Sequence, residues 1–207
     1  VERCLVVAGK KFEDLCVSEN FKDEIENLID NYNPRRILES PISMKIILSD
    51  DIPISQRPRR ISYEDQKIVE AQINEWLEDG IIQTSYSDYT SPIVLVSKKD
   101  GTKRLCCDYR KLNEKIIKYC FPMVIIDDVL HKLSSAKVFT TLDLRNGFFH
   151  VSVNEDSRKY TSFVTHNGQY EFKFVPFGIC NAPAVFCRFI FAIFRKMIQD
   201  GSIIVYM

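Results

Sequence analysis

Apolar residues recur every three or four positions in four stretches of the chain, and this spacing predicts four helices with one buried face each. The predicted helices begin near Ser18, Ser62, Ile126 and Asn181. In the second helix, Ser62 and Asp65 form a start that resembles a capping box, and Gly80 supplies the stop. The fourth helix is expected to carry Arg195 and Lys196 in its last turn, where basic side chains complement the helix dipole.

Two short turns that contain glycine separate runs of β-branched and aromatic residues, and this arrangement predicts two hairpins. The first hairpin joins strands over 92–97 and 104–109, and the second joins strands over 161–165 and 170–175.

Two further apolar runs, 138–144 and 203–207, predict strands that are far apart in sequence. We expect these two strands to pair centrally beneath the helices. The order of elements from residue 122 onward then predicts an α+β fold of the split-βαβ kind. Residues 1–60 are expected to form a connector with some local structure, and residues 61–207 the main folded region.

The composition is that of a folded protein without a membrane span. The chain has 207 residues, 45% of them hydrophobic, and 14 are phenylalanines, which argues against disorder. The longest apolar run near the C-terminus, 189–194, is too short to cross a bilayer, and the first residues lack a signal-peptide pattern. Seven cysteines without C-x-x-C spacing predict buried free thiols in a reducing, intracellular setting.

Charge is balanced over the whole chain but concentrated in one segment. The net charge is zero, so composition gives no global indication of a nucleic-acid partner. Residues 98–118 contain eight basic and three acidic residues, a local net charge of +5. This segment is either a basic hairpin tip that contacts a polyanion or an ordinary solvated hairpin, and charge alone favours the second interpretation.

Two sets of carboxylates invite a metal-binding interpretation. Asp127 and Asp128 are adjacent on a predicted helix, where neighbouring side chains diverge by about 100° and cannot converge on one ion. First-turn acids that favour the helix dipole are the better explanation for that pair. Asp143 stands at the end of a predicted strand, where it is either a turn cap or a metal ligand.

Four motifs in order give the chain a resemblance to a known family. They are SPIVLVSKKDGTKRLCCDYRKLNE (91–114), VFTTLDLRNGFFHV (138–151), NEDSRKYTSF (154–163) and FVPFGICNAPAVF (174–186). From about residue 63 to residue 207 the chain resembles the reverse transcriptase of gypsy-like long-terminal-repeat retrotransposons. The resemblance implies right-hand polymerase fingers and a partial palm with a ferredoxin-like core, with the thumb absent. It also implies that residues 1–60 follow a protease region in a Pol polyprotein.

The resemblance implies a two-metal nucleotidyl transfer in the complete enzyme, since such chemistry depends on positioning and charge neutralisation. Asp143 is the implied catalytic residue, and Asp143 with Leu144 the implied metal site for two Mg²⁺ ions, or Mn²⁺. In the family, two further aspartates directly follow the position of Met207. We therefore expect this chain to be inactive as a polymerase by itself.

The resemblance also assigns binding roles to other positions. The nucleotide site is implied at Lys98 or Lys99, Arg104, Phe148, Phe177 and Gly178. Of these, Phe148 is the implied steric gate against a ribose 2′-hydroxyl, the group that distinguishes the two sugars; ordinary core packing is the alternative. Template and primer contacts are implied at Asp108, Tyr109, Arg110, Tyr206 and Met207.

The expected partners follow from the same resemblance. They are an RNA or DNA template with its primer, deoxynucleoside triphosphates, and the protease, ribonuclease H and integrase of the Pol polyprotein, in a cytoplasmic particle or the nucleus. The alternative is a non-catalytic relic or a nucleic-acid-binding module, whose affinity would depend strongly on salt.

Overall fold

A computed structural model describes residues 41–98, 101–122, 125–134 and 146–206, together with the single positions 24, 27, 31 and 144. Within the continuous described ranges, the helices are α1 (Tyr63–Glu78), α2 (Arg110–Lys115), α3 (Ile126–Leu133), α4 (Glu155–Arg158), α5 (Ala182–Ile193) and α6 (Arg195–Gln199). The strands are β1 (Ser43–Met44), β2 (Ile82–Thr84), β3 (Ser91–Ser97), β4 (Lys103–Cys107), β5 (Ser152–Val153), β6 (Phe163–Val164) and β7 (Gln169–Phe172). Two short 3₁₀ turns span Gly147–His150 and Lys159–Thr161.

Helix α1 begins and ends as its sequence predicts. The Ser62 hydroxyl accepts a hydrogen bond from the backbone N–H of Asp65 at 3.2 Å, which satisfies one of the free donors of the first turn. Val69 and Ile73 are the buried residues of its apolar face. The chain leaves the helix at Gly80, which has a φ of 68°, a left-handed value that glycine adopts without a steric penalty.

Five strands form one sheet in the order β2-β7-β6-β3-β4. Both predicted hairpins are present, because β3 pairs antiparallel with β4 and β6 pairs antiparallel with β7. β4, β6 and β7 are shorter than predicted, whereas β3 is one residue longer, and β6 joins β3 in parallel. A second, two-stranded sheet pairs β1 with β5 in parallel. The observed architecture is therefore a mixed α+β fold.

The buried apolar residues form two clusters. Core A surrounds α5, β1 and β5 and contains Met44, Ile46, Tyr109, Leu112, Ile116, Val151, Val153, Val175, Ile179, Ala182, Val185, Phe186, Phe189 and Ile190. Core B lies between α1 and the five-stranded sheet and contains Val69, Ile73, Ile82, Ile93, Leu105, Phe163 and Phe172. Cys107, at the end of β4, packs against both cores.

Residues 41–60, which the sequence assigns to the connector, pack against the main folded region. Met44 and Ile46 are core A residues with 0% and 4% of their surface exposed. The backbone N–H of Ile46 donates to the Ser157 hydroxyl at 3.0 Å, and the N–H of Asn154 donates to the Met44 carbonyl at 3.0 Å. This segment is therefore fastened to β5 and α4.

The C-terminal elements differ from the prediction. The fourth helix does not continue through Arg195 and Lys196, because Phe194, with φ −97° and ψ 18°, leaves helical geometry and separates α5 from α6. The strand predicted over 203–207 is wrong for residues 203–206, which form no ladder. The N–H of Ile203 instead donates to the Met197 carbonyl at 3.0 Å, which folds the chain back onto α6. Its predicted partner strand, 138–144, lies outside the described residues except for Leu144.

Two predictions about composition can be compared with the described residues. Of the five cysteines described, only Cys187 is buried, while Cys120 and Cys180 are exposed, so the prediction of buried thiols is confirmed for Cys187 and wrong for the exposed pair. Among the helices of the described part of the chain, none is long and apolar enough to cross a membrane.

Candidate functional site

The tip of the β3–β4 hairpin presents basic side chains on a tight turn. The N–H of Lys98 donates to the Thr102 carbonyl at 2.7 Å, and Gly101 takes a φ of 82° to close the turn. Lys98 is exposed, while Lys99 lies outside the described residues. Lys103, the first residue of β4 after the turn, makes an ion pair with Asp65 of α1, which joins the turn end of the hairpin to that helix. The turn is therefore held at its base and leaves Lys98 in solvent.

Arg104 joins this hairpin to two distant segments. Its guanidinium carbon lies 4.2 Å from the centroid of the Phe177 ring, a cation–π distance. The Phe177 ring in turn meets the Phe148 ring edge to face, with centroids 5.0 Å apart. The structure thus brings together three of the residues to which the sequence assigns a nucleotide-binding role.

Phe148 is carried by the 3₁₀ turn Gly147–His150 that follows Asn146, whose φ is 53°. The turn packs so closely against α5 that a Cβ atom at Gly147 would lie 2.7 Å from Cζ of Phe186. The Phe148 ring is half-buried and lies 5.3 Å from the Phe186 ring. Phe148 therefore packs against core A and also contacts the Phe177 ring.

Asn113 holds the loop over 177–180 in place, and sequence reasoning missed it. Its Nδ2 donates to the Gly178 carbonyl at 2.8 Å, and its Oδ1 accepts from the N–H of Cys180 at 2.9 Å. Gly178 has a φ of 95°, which favours glycine at this position. No local sequence pattern signals such a contact, because its partners are backbone groups more than 60 positions away.

Asp108 is the centre of a charged cluster at the start of α2. Its carboxylate accepts hydrogen bonds from Nε and Nη2 of Arg110, at 2.8 and 2.7 Å, and from the guanidinium of Arg59. The hydrogen bonds from Arg110 are the largest cause that lowers the pKa of Asp108 to about 2. Sequence reasoning did not single out Arg59, although the basic run at 57–60 was a signal that could have found it.

Tyr109 is buried, in contrast to its neighbours. Only 1% of its surface is exposed, and its hydroxyl donates to the Thr161 carbonyl at 2.6 Å. Burial raises the pKa of this hydroxyl well above its ordinary value. The predicted template-gripping role therefore falls on a side chain that lies inside core A, whereas the side chain of Arg110 is 80% exposed.

A family model described as reverse transcriptase (RNA-dependent DNA polymerase) matches residues 96–207. The chain belongs to the reverse transcriptase family. The matched region contains every residue to which the sequence assigns a site role. Arg59 and the rest of the 41–60 segment lie outside it.

Curated relatives of the chain include retrovirus-related Pol polyproteins of transposons and an enzymatic polyprotein of a virus. The chain is 36% identical over 202 residues to the retrovirus-related Pol polyprotein from transposon 412 of Drosophila melanogaster, covering 91% of this chain and 16% of that protein. It is 35% identical over 191 residues to the one from transposon gypsy of the same organism, covering 88% and 18%. It is 31% identical over 197 residues to the enzymatic polyprotein of cauliflower mosaic virus (strain CM-1841), covering 89% and 29%. The resemblance to gypsy-like elements is confirmed, and the chain spans less than a third of these relatives.

Solved structures agree on the reverse transcriptase fold. A crystal structure of a prototype foamy virus protease–reverse transcriptase mutant matches with a TM-score of 0.76 and 24% identity, covering 89% of this chain and 26% of that one. The foamy viral protease–reverse transcriptase in complex with an RNA/DNA hybrid matches with a TM-score of 0.67 and 20% identity, covering 92% and 26%. At these identities the likeness concerns the fold alone.

The remaining reverse transcriptase positions are only partly described. Asp143 and Met207 lie outside the described residues, while Leu144 and Tyr206 are 46% and 63% exposed. Within the described ranges, no group of three or more histidine, cysteine, aspartate or glutamate side chains is placed to hold a metal ion.

Proposed function

We propose that this chain is the nucleotide- and template-binding part of an RNA-directed DNA polymerase within a retrotransposon Pol polyprotein. The observation that carries the proposal is the line of Arg104, Phe177 and Phe148, which come from three separate segments. The three residues are far apart in the sequence, and the fold brings their side chains into contact. The described region would correspond to the polymerase fingers and part of the palm, with residues 1–60 as the connector from a protease region.

The nucleotide site in this proposal lies between the β3–β4 hairpin and the aromatic pair. Arg104 and a fingertip lysine, Lys98 or Lys99, would bind the triphosphate, since a guanidinium offers a fork of donors and an ammonium a point charge. Phe148 would exclude a ribose 2′-hydroxyl, and its packing against Phe177 and Phe186 would make that wall rigid. Phe177 and Gly178 would close the pocket.

The template would follow the charged cluster at the start of α2. Arg110 and Arg59 both contact Asp108, yet their side chains are 80% and 46% exposed, so each still presents donors to a phosphate backbone. Asp108 would orient the two guanidinium groups, and Tyr109 would anchor them from inside core A. Tyr206 and Met207 would contact the primer end.

Catalysis in the parent enzyme would place divalent metal ions, Mg²⁺ or Mn²⁺, at Asp143 and Leu144. We propose that this chain binds the nucleotide and the primer–template. Its partners in the polyprotein would be the protease, ribonuclease H and integrase, in a cytoplasmic particle or the nucleus.

The test is a binding measurement with a fluorescent RNA–DNA primer–template whose primer ends in a dideoxynucleotide. Titration with dTTP opposite a template adenine, in Mg²⁺ buffer, should show saturable binding. Arg104→Ala should weaken dTTP binding about tenfold or more, since a hydrogen bond to a charged group contributes about 1.5–3 kcal/mol. Arg195→Ala, which removes an exposed arginine on α6, is the matched control and should leave the dTTP affinity unchanged.

The alternative function, a binding module without a nucleotide site, predicts a different result. Such a module would bind the primer–template with an affinity that falls steeply with salt. It would show no saturable response to dTTP. Arg104→Ala and Arg195→Ala would then change the affinity for the primer–template by the same factor. That outcome would contradict the proposed function.

A further inference from the structure

Residues 47–59, here called the strap, contact the chain on both sides of α2. Just before the helix, the Arg59 guanidinium donates to the Asp108 carboxylate. At the last residue of the helix, the Lys115 ammonium donates to Oδ1 of Asp50 at 2.5 Å and to the Ile52 carbonyl at 3.0 Å. One continuous stretch of chain therefore holds α2 at both of its ends.

Asp50 is the junction of the second contact. Its Oδ1 also accepts from the N–H of Ile52 at 3.0 Å, so one carboxylate both orders the strap and binds the lysine. The hydrogen bond from Lys115 is the largest cause that lowers the pKa of Asp50. Although Lys115 belongs to the basic segment 98–118, its side chain is only 24% exposed and its charge is paired with the strap.

The strap is itself attached to the rest of the fold. The N–H of Ser49 donates to the Lys115 carbonyl at 2.9 Å, which adds a backbone bond to the same junction. Further along, the N–H of Thr90 donates to the Ile54 carbonyl at 2.8 Å, and the N–H of Gln56 donates to the Thr90 carbonyl at 3.1 Å. Thr90 directly precedes β3, so the strap is fixed relative to the five-stranded sheet.

Helix α2 depends on such contacts because it is short. It has six residues, and an isolated helix of this length is not stable in water. Leu112 is its buried residue, whereas Arg110, its first residue, is 80% exposed. Arg110 is the side chain to which the proposed function gives a template phosphate. Displacement of the end of α2 at Lys115 would therefore also move the Arg110 guanidinium.

We propose that Asp50 is a positioning residue of the template site: by holding Lys115 it fixes α2 and so places Arg110 against the template backbone. The inference rests on the proposed function, since it names a residue that supports the contact between Arg110 and phosphate. Its effect has a sign that direct electrostatics cannot produce. A carboxylate repels a polyanion, so loss of the Asp50 charge alone would leave template binding unchanged or strengthen it. A positioning role predicts weaker binding.

The test measures the affinity of the 207-residue chain for the fluorescent RNA–DNA primer–template at a fixed salt concentration. Asp50→Ala should weaken binding about threefold, the effect of a typical net hydrogen bond, and by no more than Arg110→Ala does. The matched control is Asp51→Ala, which removes the same charge from the next position, where the residue is exposed. This control should leave the affinity unchanged or slightly higher.

A second background separates positioning from a general loss of stability. In the Arg110→Ala chain, Asp50→Ala should have no further effect on the affinity, because the side chain that it positions is absent. A general loss of stability would lower the affinity by the same factor in both backgrounds. Asp50→Asn keeps an oxygen acceptor for Lys115, so it should weaken binding by a smaller factor, and it decides the sign if Asp50→Ala does not fold.

The outcomes separate this inference from the proposed function. If the Asp50 variants bind the primer–template as well as Asp51→Ala does, or weaken binding equally in both backgrounds, the role of Asp50 is overturned and the template contact of Arg110 stands. If Arg110→Ala keeps the wild-type affinity, that template contact is wrong and the inference is overturned with it. A wild-type chain that does not bind the primer–template contradicts the proposed function itself.

Discussion

At the residue scale, Asp108 shows how one carboxylate can order two flexible cations. Its side chain is 9% exposed, and it accepts hydrogen bonds from Arg110, the first residue of α2, and from Arg59 of the extended segment before α1. Surface ion pairs contribute little on their own. Asp108 differs because the bonds from Arg110 are charge-assisted and bidentate and because the carboxylate is shielded from water.

Asp108 should make the free energy of unfolding depend on pH in the acid range. Its pKa of about 2 in the folded chain lies below the ordinary value of 3.8, so its contribution is present above about pH 4 and is lost as pH falls towards 2. The contribution is at most about 2 kcal/mol, since one pKa unit corresponds to about 1.4 kcal/mol and the arginines are partly solvated. Urea unfolding of wild type and Asp108→Asn should show a difference in unfolding free energy that shrinks from about pH 5 to about pH 2. A difference that stays constant with pH would contradict this assignment.

At the element scale, the contact between the 3₁₀ turn Gly147–His150 and helix α5 fixes the position of Phe148, which packs against Phe177. The turn can approach the helix only because residue 147 has no side chain. Phe186, which faces Gly147, also packs against Phe148 and Phe189, with centroids 5.3 and 6.1 Å apart. Any group that displaces the Phe186 ring therefore disturbs the wall that Phe148 forms.

Gly147→Ala should destabilise the fold through this contact. The added methyl group would lie 2.7 Å from Cζ of Phe186, so the ring or the turn must move. Overpacking of this kind costs about 1–3 kcal/mol in free energy of unfolding, which urea titration can measure. Phe186→Leu should relieve the overlap, so the double variant should lose less than the sum of the two single losses. Strictly additive losses would show that the Phe186 ring is not what Gly147 accommodates.

Local patterns predicted the elements that depend on local signals. The cap at Ser62, the stop at Gly80 and the turn at Gly101 are each decided by a few neighbouring residues, and all three are observed. The C-terminal end of α5 depends instead on the packing of Phe194 against core A, and residues 203–206 follow the hydrogen bond from the Ile203 N–H to the Met197 carbonyl. A hydrophobic repeat does not contain that information.

The residues of the candidate site also fall into those that the sequence predicted and those that it missed. Arg104, Phe148 and Phe177 were predicted because the family motifs carry them, and the structure brings them together. Asn113 and Arg59 were missed because their partners are distant groups, and an isolated asparagine or arginine is more often a solvated surface residue.

At the scale of the whole molecule, two cores meet at the candidate site. Phe148 packs against core A and the next residue, Phe149, packs against core B. Phe177 contacts both rings, at 5.0 and 5.8 Å, and Cys107 packs against both cores. The proposed nucleotide pocket therefore lies at the boundary where the two cores are joined.

Because Phe177 contacts both Phe148 and Phe149, we expect the two cores to unfold together. The single tryptophan of the chain, Trp76, packs against Phe149 and Phe172 and so reports on core B. Urea unfolding followed by Trp76 fluorescence and by far-UV circular dichroism should give coincident transitions. Phe186→Leu, which alters core A alone, should lower the midpoint of the Trp76 transition by as much as that of the circular dichroism transition. If the variant left the Trp76 transition in place, the two cores would unfold independently.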